Sequence, residues 1–174
     1  IRQVLQEESD ALRAYYEQAG ILIARPAGGT SCRLAISAKG GTNAENHNHN
    51  DVGSYAVALG SETMVGDQGG PNSYPGDYFN GDAPQKYKIK GSFGHPVPVV
   101  DGRTQSSGGK AKGVVLQKEF TNEKDVFSID YTSAYSTPNL DKLIRTFVYD
   151  RQGKGNFTVG DEFTAKTPIR FETA

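Results

Sequence analysis

The hydrophobic pattern of this chain changes its period after Gly20, and this change limits the possible folds more than any other feature. From that point apolar and polar residues alternate in short runs, which Gly, Pro, Asn and Ser separate. A period of two is typical of strands, because successive side chains point to opposite faces of a sheet. No helical stretch lies between the runs, so we expect antiparallel strands in an all-β sandwich or barrel.

The alternating runs predict strands over residues 21–25, 32–38, 52–59, 62–66, 97–100, 113–121, 124–134, 142–151, 157–164 and 167–172. Gly60-Ser61 joins two of them as a hairpin turn, and Asn122-Glu123 joins another pair. Residues 39–51 are expected to form a polar loop. Residues 67–96 are rich in Gly, Pro, Asn and Tyr and show little periodicity, which is typical of a functional or mobile loop.

The stretch before Gly20 has a different pattern. Its apolar side chains fall near one stripe at helical spacing, which predicts a helix over residues 2–18 that ends at Gly20: Leu5, Leu12, Tyr15, Tyr16 and Ala19. We therefore divide the chain into an N-terminal helix or junction, residues 1–19, and a β domain, residues 20–174. A single helix of this length is marginal in water and has to pack on the sheet or on another domain.

Composition excludes several classes of protein. A chain of 174 residues is long enough to bury the core of one domain, and its net charge of −1 gives no electrostatic footprint for nucleic acid. No run approaches the roughly 20 apolar residues of a membrane-spanning helix. The single cysteine, Cys32, excludes an internal disulfide and fits a small buried side chain better than a nucleophile.

Two of the three histidines lie two residues apart, at His47 and His49. In an extended segment this spacing places both imidazoles on one face. Asp67 follows a predicted hairpin strand and His95 follows Ser92-Phe93-Gly94, so His49, Asp67 and His95 offer two nitrogens and one oxygen, a donor set that suits zinc. The other nearby carboxylate, Asp51, fits a turn cap or a partner of a ligating histidine.

These segments also carry a resemblance. The run NHNHNDVGSYAVALGSETMVGDQGG, followed by SFGHPVPVVDGRTQ, resembles the C-terminal β-sandwich of the heparinase II/III-like polysaccharide lyases. The opening segment that leads into GILIARP is similar to the junction where that domain begins. The resemblance covers residues from about 12 to 105. It implies an antiparallel, supersandwich-like β-sandwich with one N-terminal helix.

The resemblance also implies a function. Lyases of this kind join an N-terminal α/α toroid to the sandwich and cleave uronic-acid-containing glycans, glycosaminoglycans among them, by β-elimination. His49, Asp67 and His95 match positions that hold a structural zinc ion, and His47 matches a catalytic histidine that faces the cleft between the domains. The remaining catalytic groups belong to the toroid. We therefore expect a truncated domain, inactive or nearly so alone, from a periplasmic or secreted parent whose partners are the toroid and an acidic polysaccharide.

Two further residues are candidates for binding substrate. Tyr74 belongs to the aromatic loop 74–87, whose tyrosines either pack the loop or stack on sugar rings. Arg103 lies in a stretch that resembles the family and either meets an acidic sugar or is a solvated arginine at a hairpin tip.

Two functions from other classes compete with the lyase. Gly41-x5-His47-x-His49 matches the start of a cupin metal motif, which suggests a mononuclear iron or manganese oxygenase, but Gly53 and Ser54 stand where that motif needs a glutamate. The third hypothesis is a non-catalytic carbohydrate-binding sandwich with loop 74–87 as its sugar platform. Zinc without redox activity favours the lyase domain, and iron held by His47 and His49 favours the cupin.

Overall fold

A computed structural model describes residues 11–67 and 69–173 of the chain. These residues form strands β1 to β12, one short helix α1 and two 3₁₀ turns, at Ser92–Gly94 and Thr132–Ala134. The strands are β1 (Arg13–Tyr16), β2 (Ile21–Ala24), β3 (Leu34–Lys39), β4 (Gly41–Asn43), β5 (Tyr55–Leu59), β6 (Glu62–Val65), β7 (Val99–Val100), β8 (Gly108–Phe120), β9 (Lys124–Asp130), β10 (Leu140–Asp150), β11 (Asn156–Ala165) and β12 (Phe171–Glu172). The helix is α1 (Ala83–Lys86), and no helix in the described ranges is long and apolar enough to cross a membrane.

The strands form two five-stranded antiparallel sheets and one two-stranded sheet. The first sheet has the order β1-β2-β3-β5-β6 and the second the order β11-β10-β9-β8-β4, while β7 pairs with β12. Most neighbours in a sheet follow one another along the chain, as short hairpin connections require. The predicted all-β antiparallel sandwich is confirmed, and so are the turns at Gly60-Ser61 and Asn122-Glu123.

The core lies between the two large sheets and is built from alternate residues of their strands. Leu22 and Ile36 come from the first sheet, and Phe127, Leu143 and Phe147 come from the second. Phe127 and Phe147 are directly opposed across β9 and β10, with their rings stacked 6.0 Å apart. Burying each such side chain stabilises the fold by roughly 1.5–3 kcal/mol, so this layer holds the sheets together.

The predicted helix over residues 2–18 is wrong where the structure can test it. Residues 2–10 lie outside the described part of the chain, and Arg13–Tyr16 form strand β1, which pairs with β2 from Arg13↔Ala24 to Tyr16↔Ile21. Alternate residues Arg13 and Tyr15 face the second sheet, where Tyr15 packs on Phe120 and Arg13 donates to Asp125 over 2.8 Å. The apolar spacing in this segment is compatible with a strand as well as with a helix. Pairing with β2 favours the strand.

A second difference lies in the polar segment 39–51, which contains strand β4. The chain leaves β3 in the first sheet and enters β4 in the second through Gly40 and Gly41, and Gly41 pairs with Gly113. Gly41 has a φ of +65°, and a Cβ there would lie 2.6 Å from the carbonyl oxygen of Ala19. Only glycine permits this crossing, which delivers residues 44–51 to the end of the sandwich.

Candidate functional site

Three side chains that are distant in sequence meet at one end of the sandwich. His49 Nδ1 lies 3.0 Å from His95 Nε2, and Asp67 Oδ2 lies 3.4 Å from His95 Nδ1 and 3.9 Å from His49 Nδ1. With one ligand atom from each residue, all three atoms fall within 4.8 Å of one another. The structure thus brings together the three residues that the sequence predicts as metal ligands.

Each of these residues follows a regular element that fixes its position. His49 lies in the loop after β4, where the Asn50 amide nitrogen donates to the Lys90 carbonyl oxygen over 2.8 Å. Asp67 follows β6, and its Oδ1 accepts from the Gly69 amide over 2.9 Å, which leaves Oδ2 towards the imidazoles.

His95 follows the 3₁₀ turn Ser92–Gly94. At Gly94 a Cβ would lie 2.5 Å from the carbonyl oxygen of Ile89, so the chain packs there too closely for any side chain. This close packing fixes the backbone position of His95, whose ring points into the protein.

The cluster is more buried on its histidine side than on its carboxylate side. The side chain of His95 is 2% exposed and that of Asp67 is 48% exposed. Burial lowers the pKa of His49 below its ordinary value, and the charge of His95 lowers it further, against the opposing effect of Asp67. A lowered pKa keeps the imidazole neutral near pH 7, the form in which histidine binds a metal.

The geometry fits a small divalent cation. Zinc with bonds of about 2.0–2.2 Å to tetrahedral ligands holds the ligand atoms about 3.3 Å apart. With one ligand atom from each residue, the three atoms lie within 4.8 Å of one another, so a bound ion would draw them slightly closer together. His95 presents Nε2 to His49 and Nδ1 to Asp67, so binding through one nitrogen needs a small rotation of a side chain. The half-exposed Asp67 has room to make it.

His47 is not part of this cluster in the described structure. It is exposed, has a φ of +58°, and lies against Phe79 with ring centroids 4.4 Å apart. The left-handed backbone at His47 breaks the extended conformation, so the two imidazoles of His47-x-His49 do not share a face. The segment instead sends His49 to the cluster and His47 to solvent.

His47 lines a cavity of about 590 Å³ between the loop after β4 and residues 79–90. Much of its wall is made of side-chain amides and one buried ammonium, as its lining residues show: Asn43, Ala44, Glu45, Asn46, His47, Asn48, Phe79, Asn80, Gly81, Pro84, Lys90, Ser107 and Gly108. Amide groups both donate and accept hydrogen bonds, which suits the hydroxyl groups of a sugar. The cavity is large enough for a small ligand.

The two predicted substrate-binding residues lie elsewhere. Tyr74 does not line the cavity, but its ring is 5.2 Å from that of Phe79, which does. Arg103 is exposed on the turn after β7, bridged through its backbone to Val100, and is absent from the cavity wall. The aromatic loop therefore reaches the cavity, and the structure does not bring Arg103 to it.

The sequence analysis singled out neither Phe79 nor Lys90, which both line the cavity. Phe79 stands in the aperiodic segment 67–96, where no pattern singles it out. Lys90 is one of three lysines in Lys86-Tyr87-Lys88-Ile89-Lys90, and the sequence does not distinguish it from Lys86 and Lys88. Only the folded loop buries Lys90 and leaves the other two exposed.

The fold and the cluster together define a two-sheet antiparallel sandwich with a candidate metal centre beside an amide-lined cavity. No protein-family model and no curated protein sequence matches the chain. The same fold is found in two crystal structures of the heparan sulfate lyase HepC from Pedobacter heparinus, one of them of a mutant. The mutant superposes with a TM-score of 0.68 and the other with 0.67, both at 19% identity and over 91% of this chain.

That similarity covers only part of the lyase. This chain spans 23% of the length of HepC, so it corresponds to one region of a larger enzyme. At 19% identity the likeness shows a common fold.

Proposed function

We propose that this chain is the β-sandwich domain of a polysaccharide lyase that cleaves uronic-acid-containing glycans by β-elimination. One observation carries the proposal: an exposed histidine faces an amide-lined cavity beside a His/Asp/His cluster, in a fold shared with a heparan sulfate lyase. The heparinase II/III-like sequence motifs supply these same residues, which supports membership of that family.

The chemistry assigns a limited role to this domain. β-Elimination needs a base for the proton on C5 of the uronate, groups that stabilise the charge developing on its carboxylate, and an acid at the glycosidic oxygen. His47 is the one imidazole in the cavity wall, and it supplies a single proton-transfer or positioning function. The other functions fall to an α/α toroid domain, so we propose that the domain alone is inactive or nearly so.

His49, Asp67 and His95 would hold a divalent cation, for which zinc is the best match to the donor set. The bound ion would have a structural role, since it would hold the segments of His49, Asp67 and His95 together. Its position beside the cavity would keep the loop of His47 in place.

The proposal is tested with the full-length protein and its His47→Ala variant on heparan sulfate and on other uronate-containing polysaccharides. The assay follows the ultraviolet absorbance of the unsaturated uronate that β-elimination creates. We expect cleavage by the parent and a loss of about 10²–10⁴-fold in His47→Ala, with an unchanged melting temperature and metal content. The proposal is contradicted if the full-length protein cleaves no uronate polymer, or if His47→Ala loses metal.

A second candidate, a carbohydrate-binding sandwich without catalysis, is supported by one specific observation. Tyr74, Tyr78 and Phe79 form a cluster of rings 4.9–5.3 Å apart, and Tyr74 and Phe79 remain exposed. Such rings are suited to stacking on sugars. Glycan binding by the full-length protein without any release of unsaturated product favours this candidate over the lyase.

The cupin alternative needs both His47 and His49 on one metal, whereas the ring of His47 packs against that of Phe79.

A further inference from the structure

Lys90 is a buried lysine whose ammonium group has no carboxylate partner among the residues that the structure describes. The residue is 2% exposed. Its Nζ donates to the Tyr78 carbonyl oxygen over 2.7 Å and lies 4.7 Å from the centroid of the Tyr78 ring and 5.3 Å from that of Phe79. One carbonyl and two ring faces therefore form the described surroundings of this charge.

These surroundings leave the charge only partly compensated. An ammonium has three hydrogen-bond donors, and the structure gives one of them an acceptor. Burying a cation without a counter-ion is costly, and burial lowers the pKa of Lys90 below its ordinary value. An anion that reached the ammonium would remove this cost, so the site favours a negatively charged ligand.

Lys90 is also placed where a ligand can meet it. It lines the same cavity as His47, and its carbonyl oxygen accepts from the Asn50 amide, so its segment is tied to the loop that carries His47 and His49. Its charge is close enough to His49 to be among the causes that lower the pKa of that imidazole. The cavity wall also contains the carboxylate of Glu45.

We propose that Lys90 determines specificity by binding an anionic group, a carboxylate or a sulfate, of the sugar held in the cavity next to His47. The inference rests on the proposed function, because it assumes that the cavity holds an acidic glycan. It adds the residue that tells an acidic sugar from a neutral one. Lys90 makes this distinction through charge and a charge-assisted hydrogen bond, while the surrounding amides bind hydroxyl groups that all sugars share.

The test measures the affinity of the chain for three tetrasaccharides by calorimetry. The first carries glucuronate carboxylates and no sulfate, the second carries N-sulfate groups and carboxylates reduced to alcohols, and the third is neutral because it has neither group. The variant is Lys90→Met, which keeps the length of the side chain and removes its charge. The matched control is Lys88→Met, since Lys88 is exposed and does not line the cavity.

We expect Lys90→Met to weaken binding of one charged tetrasaccharide by about tenfold or more and to leave binding of the neutral one unchanged. The ligand that loses affinity identifies the carboxylate or the sulfate as the group that Lys90 binds. Lys88→Met should bind all three like the parent chain. Equal weakening for all three ligands would show that Lys90 only shapes the cavity, and it would overturn the inference.

A second measurement needs no variant and so does not depend on the folding of Lys90→Met. In the parent chain with isotope-labelled lysine, the NMR signals of the Lys90 side chain should shift on titration with the charged ligand and not with the neutral one. No selective shift overturns the inference. If the parent chain binds the tetrasaccharides and Lys90 is indifferent to their charge, only this inference fails. If the parent binds none of them, the proposed function fails as well.

Discussion

His49 Nδ1 and His95 Nε2 lie 3.0 Å apart although 46 residues separate them in the chain. Two imidazole nitrogens at this distance share one proton in the absence of a metal, or they give it up to bind a cation together. Asp67 adds a carboxylate oxygen within reach of both rings. This meeting point ties the loop after β4, the loop after β6 and the turn before Pro96 to one another.

Removing a ligand should therefore lower both metal content and stability. We expect His49→Ala to bind less zinc than the parent chain and to unfold at a lower temperature in zinc, because a metal that binds the folded state stabilises it by about 2.7 kcal/mol at a concentration of 100 times its Kd. Metal analysis and thermal unfolding with and without chelator measure both effects. His47→Ala is the matched control and should behave like the parent chain, and equal metal loss in the two variants would show that the ligand set is misassigned.

As the pH is lowered, the metal-free parent chain should lose more unfolding free energy than the metal-free His49→Gln variant. The folded state lowers the pKa of His49 below the ordinary value of 6.5, so the unfolded chain takes up this proton first as the pH falls. The contribution of His49 is present above about pH 6.5 and is lost as the pH falls through the lower, folded pKa.

Urea unfolding in chelator at pH 7 and pH 5 checks this prediction. His95, Asp67, Asp51 and Lys90 also act on His49 and remain in both proteins, so the difference between parent and variant isolates the imidazole. The same loss of stability on acidification in both proteins would contradict it.

The sequence predicts the sandwich and the three clustered residues for different reasons. The sandwich follows from local alternation, which each strand repeats independently. The cluster follows from the joint occurrence of His49, Asp67 and His95 in motifs that resemble one family. Strand β1 was misjudged as helix because Tyr15 and its neighbours satisfy both periods and only the pairing with β2 distinguishes them. The burial of Lys90 depends on how a segment without periodicity folds, and no local pattern reports that.

The ion pair of Arg145 and Asp161 holds the backbone next to the His49, Asp67 and His95 cluster. Arg145 forms two hydrogen bonds of 2.8 and 2.7 Å to Asp161 and donates to the carbonyl oxygens of Gly53 and Pro96, each over 2.8 Å. Gly53 follows the loop of His49, and Pro96 follows His95. Arg145 therefore fixes the backbone beside two of the three candidate ligands.

We expect Asp161→Asn to cost about 3–5 kcal/mol of unfolding free energy, because it leaves the Arg145 charge buried without its partner. Metal affinity should fall with it, since Arg145 would no longer be held against both loops. Denaturant unfolding and zinc titration measure the two effects. The exposed pair Lys166 and Asp141, 3.5 Å apart, provides the control, and Asp141→Asn should change neither quantity measurably. A similar small effect of Asp161→Asn would contradict the supporting role of Arg145.

Gly20, in the turn between β1 and β2, packs against the crossing between the sheets and should resist substitution. Gly20 has a φ of +62°, and a Cβ there would lie 2.7 Å from the backbone nitrogen of Gly41, which cannot move without displacing β4. We expect Gly20→Ala to lower the unfolding free energy by more than the roughly 1–2 kcal/mol that a left-handed conformation alone costs a residue with a Cβ. Gly28→Ala is the control, because a Cβ there meets nothing within 4 Å.

Denaturant unfolding of Gly20→Ala and Gly28→Ala measures the difference, and zinc titration reports whether the loop after β4 has shifted. Because β4 leads directly into the segment of His49, a displaced crossing should weaken metal binding in Gly20→Ala even where the sandwich still folds. Gly28 lies in the turn between β2 and β3, so its substitution should leave metal affinity unchanged. Equal stability of the two variants would mean that the crossing yields to a side chain, and that the close approach of Gly20 to Gly41 does not position the histidines.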